Sequence, residues 1–331
     1  MHNLTLLIVS LLPLLSLAAP FPCKQAKLTE LYSFTPSNPL FVENILTLPD
    51  NRLLLTTFSP TGDLFVLDPN SQTPKPITVT SFPNTTVQLG IAPLGNHRYA
   101  VATGILGDLV FVYGTGNIRI ISLPPQSNTA RQLDVIPVPD TYILNGMISL
   151  PKRPHVLLSA DSTGGRILRT DTRTKRTTTV LSDPGLLGPG NNTVLPLGVN
   201  GIKIRGGHLY FTNSALGLFG RVRINEDGTR FGSEIEVLSR LRGEIGYANA
   251  FDDFAIDERT GDAYVTWHDR SLVRISRKRG EGDGKGWKQE VVLKAPTAVA
   301  FGNSGKELYV TTAGQVNGTR IGGQVVKVDL C

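Results

Sequence analysis

Six polar residues recur along the chain, each just ahead of an apolar run. They are Glu43 (ENILTLPDNRLLLTT), Gln88 (QLGIAPLGNHRYAVAT), Asn145, Asn200, Asp252 and Thr297. Two carboxylates, three amides and a hydroxyl form an oxygen-rich set. If they met in one small volume, Glu43 and Asp252 would repel each other unless a cation sat between them. Oxygen ligands from Glu, Asp and Asn suit a hard ion, so Glu43, Asn145, Asn200 and Asp252 are candidate ligands for Ca²⁺. Asn and Asp also begin strands after turns for purely local reasons. Six polar residues out of six, with no Gly or Pro among them, favours a shared site. His268 follows an apolar run in VTWHD, beside Trp267, while Asn213 (FTNS) and Asp161 (LLSADS) hold similar places in their own runs. Together with Gln88, Asn145 and Thr297, these three residues (Trp267, Asn213 and Asp161) are candidates to contact a small-molecule substrate.

The spacing says how such residues could converge. The six starts are 45, 57, 55, 52 and 45 residues apart, and a second apolar run follows each start after 9 to 11 residues. Further strand-like segments follow each pair, for example GDLFVLDP and PITVTSF, or RILRTD and TTTVLS. Four short strands repeated at this period define a blade, and six repeats define an all-β, six-bladed β-propeller. In that architecture the first strand of each blade lines the central channel, so the six starts share one end of it. The sixth repeat has only three strands, the last being QVVKVDL. KLTELYSF, residues 27–34, supplies the fourth and closes the ring. Antiparallel pairing of those two segments brings Cys23 and Cys331 together, which predicts a disulfide between the chain ends.

Other features bound the function. Residues 1–19 read as a cleaved secretory leader, with an apolar stretch from Leu4 to Leu17 followed by Ala18 and Ala19. Residues 20–331 are then one secreted domain. Asn84, Asn191 and Asn317 begin N-glycosylation sequons in turn-like segments. The net charge of +6 invites a nucleic-acid reading, but the basic residues are scattered except in the Gly-rich segment from Arg274 to Lys288, which reads as a solvated loop. No nucleic-acid or membrane partner is expected, and the oligomeric state is open. Nucleophile elbows, P-loops and His/Cys zinc motifs are missing, so triad hydrolysis and zinc catalysis have no support.

The segments VNGIKIRGGHLYFTNS and FDDFAIDERTGDAYVT, with Glu43 and Asn145, resemble the regucalcin/gluconolactonase superfamily of propellers. That resemblance implies a divalent cation, usually calcium, on Glu43, Asn200 and Asp252. It also implies a general-base role for Asp252 in lactone hydrolysis and a substrate contact for the second Asn. Phe251 stands where the family usually has Pro, and Asp253 where it has Gly. The leader, the terminal cysteines and LLSADSTGGRILRTDTRT resemble a fungal branch that includes hetero-Diels–Alderases, which join a quinone methide to a sesquiterpene. Such a reaction needs orientation and hydrogen-bond donors, not a nucleophile. His268, Asn200 and Gln88 would be the donors, and Trp267 would shape the pocket. A calcium-dependent lactonase and a non-catalytic binding propeller are the alternatives, with no organic cofactor in any of the three.

Overall fold

The computed structural model describes residues 26–107, 110–232, 234–268, 270–276, 287–316 and 319–330, and every regular element among them is a β-strand. The leader, Cys23, Cys331 and Asn317 lie outside the described residues. Six four-stranded antiparallel units follow one another. The first is β2 (Phe41–Thr47), β3 (Leu53–Phe58), β4 (Asp63–Leu67) and β5 (Ile77–Ser81). The second is β6 (Val87–Gly95), β7 (Arg98–Gly104), β8 (Asn117–Ser122) and β9 (Arg131–Pro137). A single pair, Phe58 with Val87, joins these two into one larger sheet. The third is β10 (Leu144–Leu150), β11 (Arg153–Asp161), β12 (Arg166–Asp171) and β13 (Arg176–Ser182). The fourth is β14 (Val199–Arg205), β15 (His208–Asn213), β16 (Leu218–Arg223) and β17 (Glu236–Arg240). The fifth is β18 (Phe251–Ile256), β19 (Ala263–Trp267), β20 (Ser271–Ile275) and β21 (Trp287–Val292). The sixth runs β22 (Pro296–Phe301), β23 (Glu307–Thr312), β26 (Gln324–Asp329) and then β1 (Lys27–Ser33), with the small ladder of β24 (Gln315–Val316) and β25 (Thr319–Arg320) inserted before β26. Lys27 pairs with Asp329, so the two ends of the chain lie in one sheet.

These segments form strands because Val, Ile, Leu and Thr dominate them and tight turns separate them. In the β14–β15 hairpin, Gly206 and Gly207 both take positive φ, as a two-residue hairpin turn demands. The first strands pack side by side in a closed circuit: β2 on β6, β6 on β10, β10 on β14, β14 on β18, β18 on β22, and β22 back on β2. The core lies between neighbouring sheets. Leu54, Val66, Ile91 and Val101 fill one such layer, and Ile202, Phe211, Leu158 and Ile167 fill another. Each side chain of this kind contributes about 1.5–3 kcal/mol by leaving water.

All six inner strands break register near their starts, between Val42 and Asn44, Gln88 and Ile91, Leu144 and Met147, Val199 and Ile202, Phe251 and Phe254, and Pro296 and Val299. A bulge bends the strand and brings two successive residues towards neighbouring structure. The bulges also correct one sequence expectation. In register, the residues that match Glu43, Asn145, Asn200, Asp252 and Thr297 in the second unit is Leu89, and Gln88 stands one residue earlier, level with Leu144 and Val199. A repeated hydrogen bond gives the same alignment. Thr56 Oγ1 donates to the Leu89 carbonyl (2.8 Å), Thr266 Oγ1 to the Thr297 carbonyl (2.9 Å), and Thr212 Oγ1 to the Asp252 carbonyl.

At the opposite end of the units, Arg52 is buried and ties the first sheet to the second. Its Nε donates to Asp50 Oδ2 (2.9 Å) and Nη1 to the Ser127 carbonyl (2.7 Å), while the Gln126 N–H donates to Asp50 Oδ2 (2.9 Å). Burial pushes the Asp50 carboxyl up, but the N–H groups of Gln126 and Arg52 and the guanidinium charge outweigh it and hold it below 3.8. A carboxyl depressed in the folded state stabilises above its unfolded pKa and loses that contribution as pH falls through the folded value. The Tm gap between the native chain and Asp50→Asn is therefore expected to be full above about pH 5 and to close on acidification below it, as measured by thermal melts from pH 7 to pH 2.5. A gap that is unchanged or widens on acidification would contradict this role.

Candidate functional site

The inner strands gather Glu43, Asn145, Asn200, Asp252 and Thr297 at one end of the circuit, all buried. The best-defined chemistry is on Asp252. Asn200 Nδ2 donates to its Oδ1 (2.7 Å), and His268 Nε2 lies 2.6 Å from its Oδ2. Asn200 Nδ2 also donates to Ser214 Oγ (2.9 Å), and that hydroxyl donates to the Phe251 carbonyl (2.7 Å). The amide is thus fixed with nitrogen towards the carboxylate, since the flipped form would set two oxygens against each other. His268 keeps 19% of its side chain exposed where Asp252 keeps 10%, so the ring is the outer member of the pair. A buried carboxylate behind a partly open imidazole sets the ring's orientation.

Beside this pair lies a second group that the sequence reading left out. Asp253 Oδ1 accepts from Lys203 Nζ (2.6 Å) and from the Phe254 N–H (2.7 Å), and its Oδ2 accepts from Asn44 Nδ2 (3.2 Å). Asp253 therefore links the first, fourth and fifth units. The two doublets, Glu43-Asn44 and Asp252-Asp253, were the visible signal, because a bulge lets both members of a doublet act inward. Gly201 makes the approach possible: a Cβ there would sit 2.3 Å from Asp253 Oδ1 and 2.8 Å from its Cα. Burial, followed by the charges of Asp252 and Asp253, raises the Glu43 carboxyl well above 4.5. Glu43 is thereby favoured as a neutral acid, able to donate a hydrogen bond or a proton.

The other candidates have different surroundings. Thr297 Oγ1 donates to the Val42 carbonyl (2.7 Å) and lies 2.8 Å from Thr311 Oγ1, an inter-unit tie. Gln88 is fully buried, and among the described residues neither of its amide atoms has a hydrogen-bond partner. Asp161 accepts from Thr141 Oγ1 (2.9 Å), the Gly164 N–H (3.0 Å) and Arg166 Nε (2.8 Å). Asn213 donates to the Leu186 and Gly188 carbonyls (3.1 and 2.8 Å) and accepts from the Leu216 N–H (3.0 Å). Both residues thus hold end loops in shape, as short polar side chains before a Gly-containing turn often do. Trp267 Nε1 donates to Asn249 Oδ1 (3.0 Å), and Asn249 in turn bonds the Glu244 carbonyl (2.8 Å), so the indole secures the 241–250 loop.

The same end carries apolar surface. Among the described residues twelve large hydrophobic side chains are exposed, and seven of them, Val110, Val112, Tyr113, Tyr142, Val194, Tyr247 and Ile321, lie in loops at this end. The other five sit on outer strands or in an opposite-end loop, so exposure of greasy side chains is concentrated where the inner strands begin. Tyr113 and Tyr142 also meet, with ring centroids 4.8 Å apart. Exposed apolar groups around a polar centre mark a site for an apolar ligand with a few polar atoms.

The donor set does not suit calcium. Both oxygens of Asp252 face donors, the Asn200 amide presents nitrogen there, and a lysine ammonium occupies Asp253. No step of the chemistry is therefore routed through a metal.

Strand order, bulged inner strands and a polar cluster at one end of the ring define a propeller scaffold, and solved structures share it. A luciferin-regenerating enzyme superposes with a TM-score of 0.61 at 16% identity, covering 92% of this chain and 95% of that one. Regucalcin from Agrobacterium tumefaciens, described as a calcium-binding protein, superposes at 0.57 with 13% identity, covering 91% and 96%. No protein-family model matches the chain. In sequence, a protein of Phoma sp assigned as a hetero-Diels-Alderase is 26% identical over 304 residues, 83% of this chain and 84% of its own length. The protein asR5 of Sarocladium schorii, with the same assignment, is 26% identical over 321 residues, 83% of this chain and 75% of its own. The chain is thus similar in sequence to two proteins assigned as hetero-Diels-Alderases and shares its fold with solved regucalcin- and gluconolactonase-type propellers.

Proposed function

We propose that this chain is a secreted, six-bladed propeller enzyme that catalyses a hetero-Diels–Alder cyclisation between a quinone methide and a sesquiterpene alkene. The observation that carries this reading is the Asp252–His268–Asn200 cluster at the one end of the ring where exposed apolar side chains gather. The two named relatives support the reaction class. In the cycloaddition the quinone methide's heterodiene, three carbons and one oxygen, and the alkene form one C–C and one C–O bond, and no atom leaves. Catalysis then consists of holding two partners in reacting geometry, which can supply roughly 7–11 kcal/mol, and of hydrogen bonding to the quinone oxygen as negative charge builds there. Asp252 holds the His268 ring, His268 donates to that oxygen, and the apolar loops around Tyr113, Tyr142, Val194 and Tyr247 receive the terpene. A Cys23–Cys331 bond closing the ring and glycans on Asn84, Asn191 and Asn317 belong to the same proposal. Both Asn84 and Asn191 are exposed, as such a modification requires.

The Asp252–His268 pair also suits activation of a water for lactone hydrolysis, the second reading. Incubating the purified chain with a quinone-methide precursor and a sesquiterpene alkene distinguishes them. A single enantiomer of cycloadduct, formed faster than the background racemate and unaffected by chelator, is expected. Hydrolysis of a panel of aromatic and aliphatic lactones without stereoselective cycloaddition would transfer the function to the second reading, and inactivity towards both would leave a binding propeller.

A further inference from the structure

The geometry points to Lys203 as a built-in cation: its ammonium, tethered on β14, takes the charge-balancing place at the inner carboxylates that a bound divalent ion would otherwise fill. This role is independent of the proposed reaction. Lys203 follows Asn200 by three residues on the same inner strand and reaches the neighbouring unit, where Nζ lies 2.6 Å from Asp253 Oδ1. The side chain is 27% exposed and that of Asp253 only 6%, so the carboxylate sits within and the ammonium closes it off. Nζ also lies 5.3 Å from the centroid of the Phe254 ring, which adds a cation–π contact. The rest of the Asp253 shell is made of donors, the Phe254 N–H and the Asn44 amide. Glu43 and Asp252 are the other acidic groups facing this centre, and Asp252 is met by His268 and Asn200. A divalent ion bridging both aspartates would have to displace an ammonium, an imidazole and two amides.

A buried carboxylate that loses its partner is strongly destabilised, whereas removing both charges together is far better tolerated. Thermal melts and calcium calorimetry on the full chain, on Lys203→Met and on Lys203→Met/Asp253→Asn test the assignment. Calcium at 5 mM and EDTA are expected to leave the native Tm unchanged within about 1 °C, with no saturable heat of binding. Lys203→Met is expected to melt at least about 5 °C lower or to fail to fold, and the double variant to recover half or more of the loss. Calcium that binds the native chain saturably and raises its Tm would overturn the proposal. So would a Lys203→Met chain that melts with the native one, or a double variant that fares no better than the single. Since none of these readouts involves turnover, they stand or fall separately from the cyclisation.

Discussion

Replacing Gly146 with alanine is expected to lower the Tm by about 5 °C, the loss that follows from roughly 3 kcal/mol of forced overlap in a domain of this size. A Cβ at Gly146 would lie 2.4 Å from the Asn200 carbonyl oxygen, 2.8 Å from the Ile202 nitrogen and 3.0 Å from the Gly201 Cα. Every one of those atoms is backbone of the next inner strand, so no side chain can turn aside. Gly90 stands in the same relation to the third unit, with its Cβ position 2.3 Å from the Asn145 carbonyl oxygen. The ring of inner strands is thus drawn tight by hydrogen in place of a methyl group. Gly104→Ala is the control, because its new Cβ would meet only Thr115 Oγ1 at 3.6 Å and Val87 Cγ2 at 3.7 Å, ordinary contacts. Calorimetric melts that show equal losses for Gly146→Ala and Gly104→Ala would remove this account of how the strands converge.

The second large effect concerns chemistry. Asp252→Asn is expected to lower the rate of stereoselective cycloaddition by about 10²–10³-fold, the usual loss when a positioned donor is misplaced, with little change in Tm. The substitution keeps the side chain's shape but removes the charge that orients His268. It also leaves one acceptor oxygen where two met Asn200 and His268, the other place being taken by an NH2 group. His268→Ala is expected to cost a similar factor, and the double variant little more than either single one, because the two residues act as a unit. Rates and enantiomeric excess measured for all three variants check this. Additive losses would mean that Asp252 and His268 work separately.

Much of the architecture could be read from the chain itself, for a physical reason. A polar residue at the mouth of a channel followed by an apolar strand is a pattern that every unit must repeat, so Glu43, Asn145, Asn200, Asp252 and Thr297 stand out by period alone. The pairing of β1 with β26 followed from a missing fourth strand. What periodicity could not supply was the register at the bulges. Gln88 is polar and sits near the right interval, yet Gly90 shows the true alignment, because only glycine fits where Gly146 and Gly201 also press on the next strand. The second row of the site, Asn44, Asp253 and Lys203, was hidden for a related reason: alternation predicts that neighbours face opposite ways, and the bulge suspends that rule. Asp161 and Asn213 share the polarity of site residues but spend it on turns, which their sequence contexts, DSTGG and NSALG, already suggested.

A crystal structure of the full chain soaked with the cycloadduct would put the central idea to its most direct trial. The account predicts the ligand at the end of the ring where the inner strands begin, its oxygen within hydrogen-bonding distance of His268 and its terpene portion against the loops that carry Tyr142 and Tyr247. A product bound instead at the Arg52 end of the sheets, with Asp252 and His268 untouched, would contradict it.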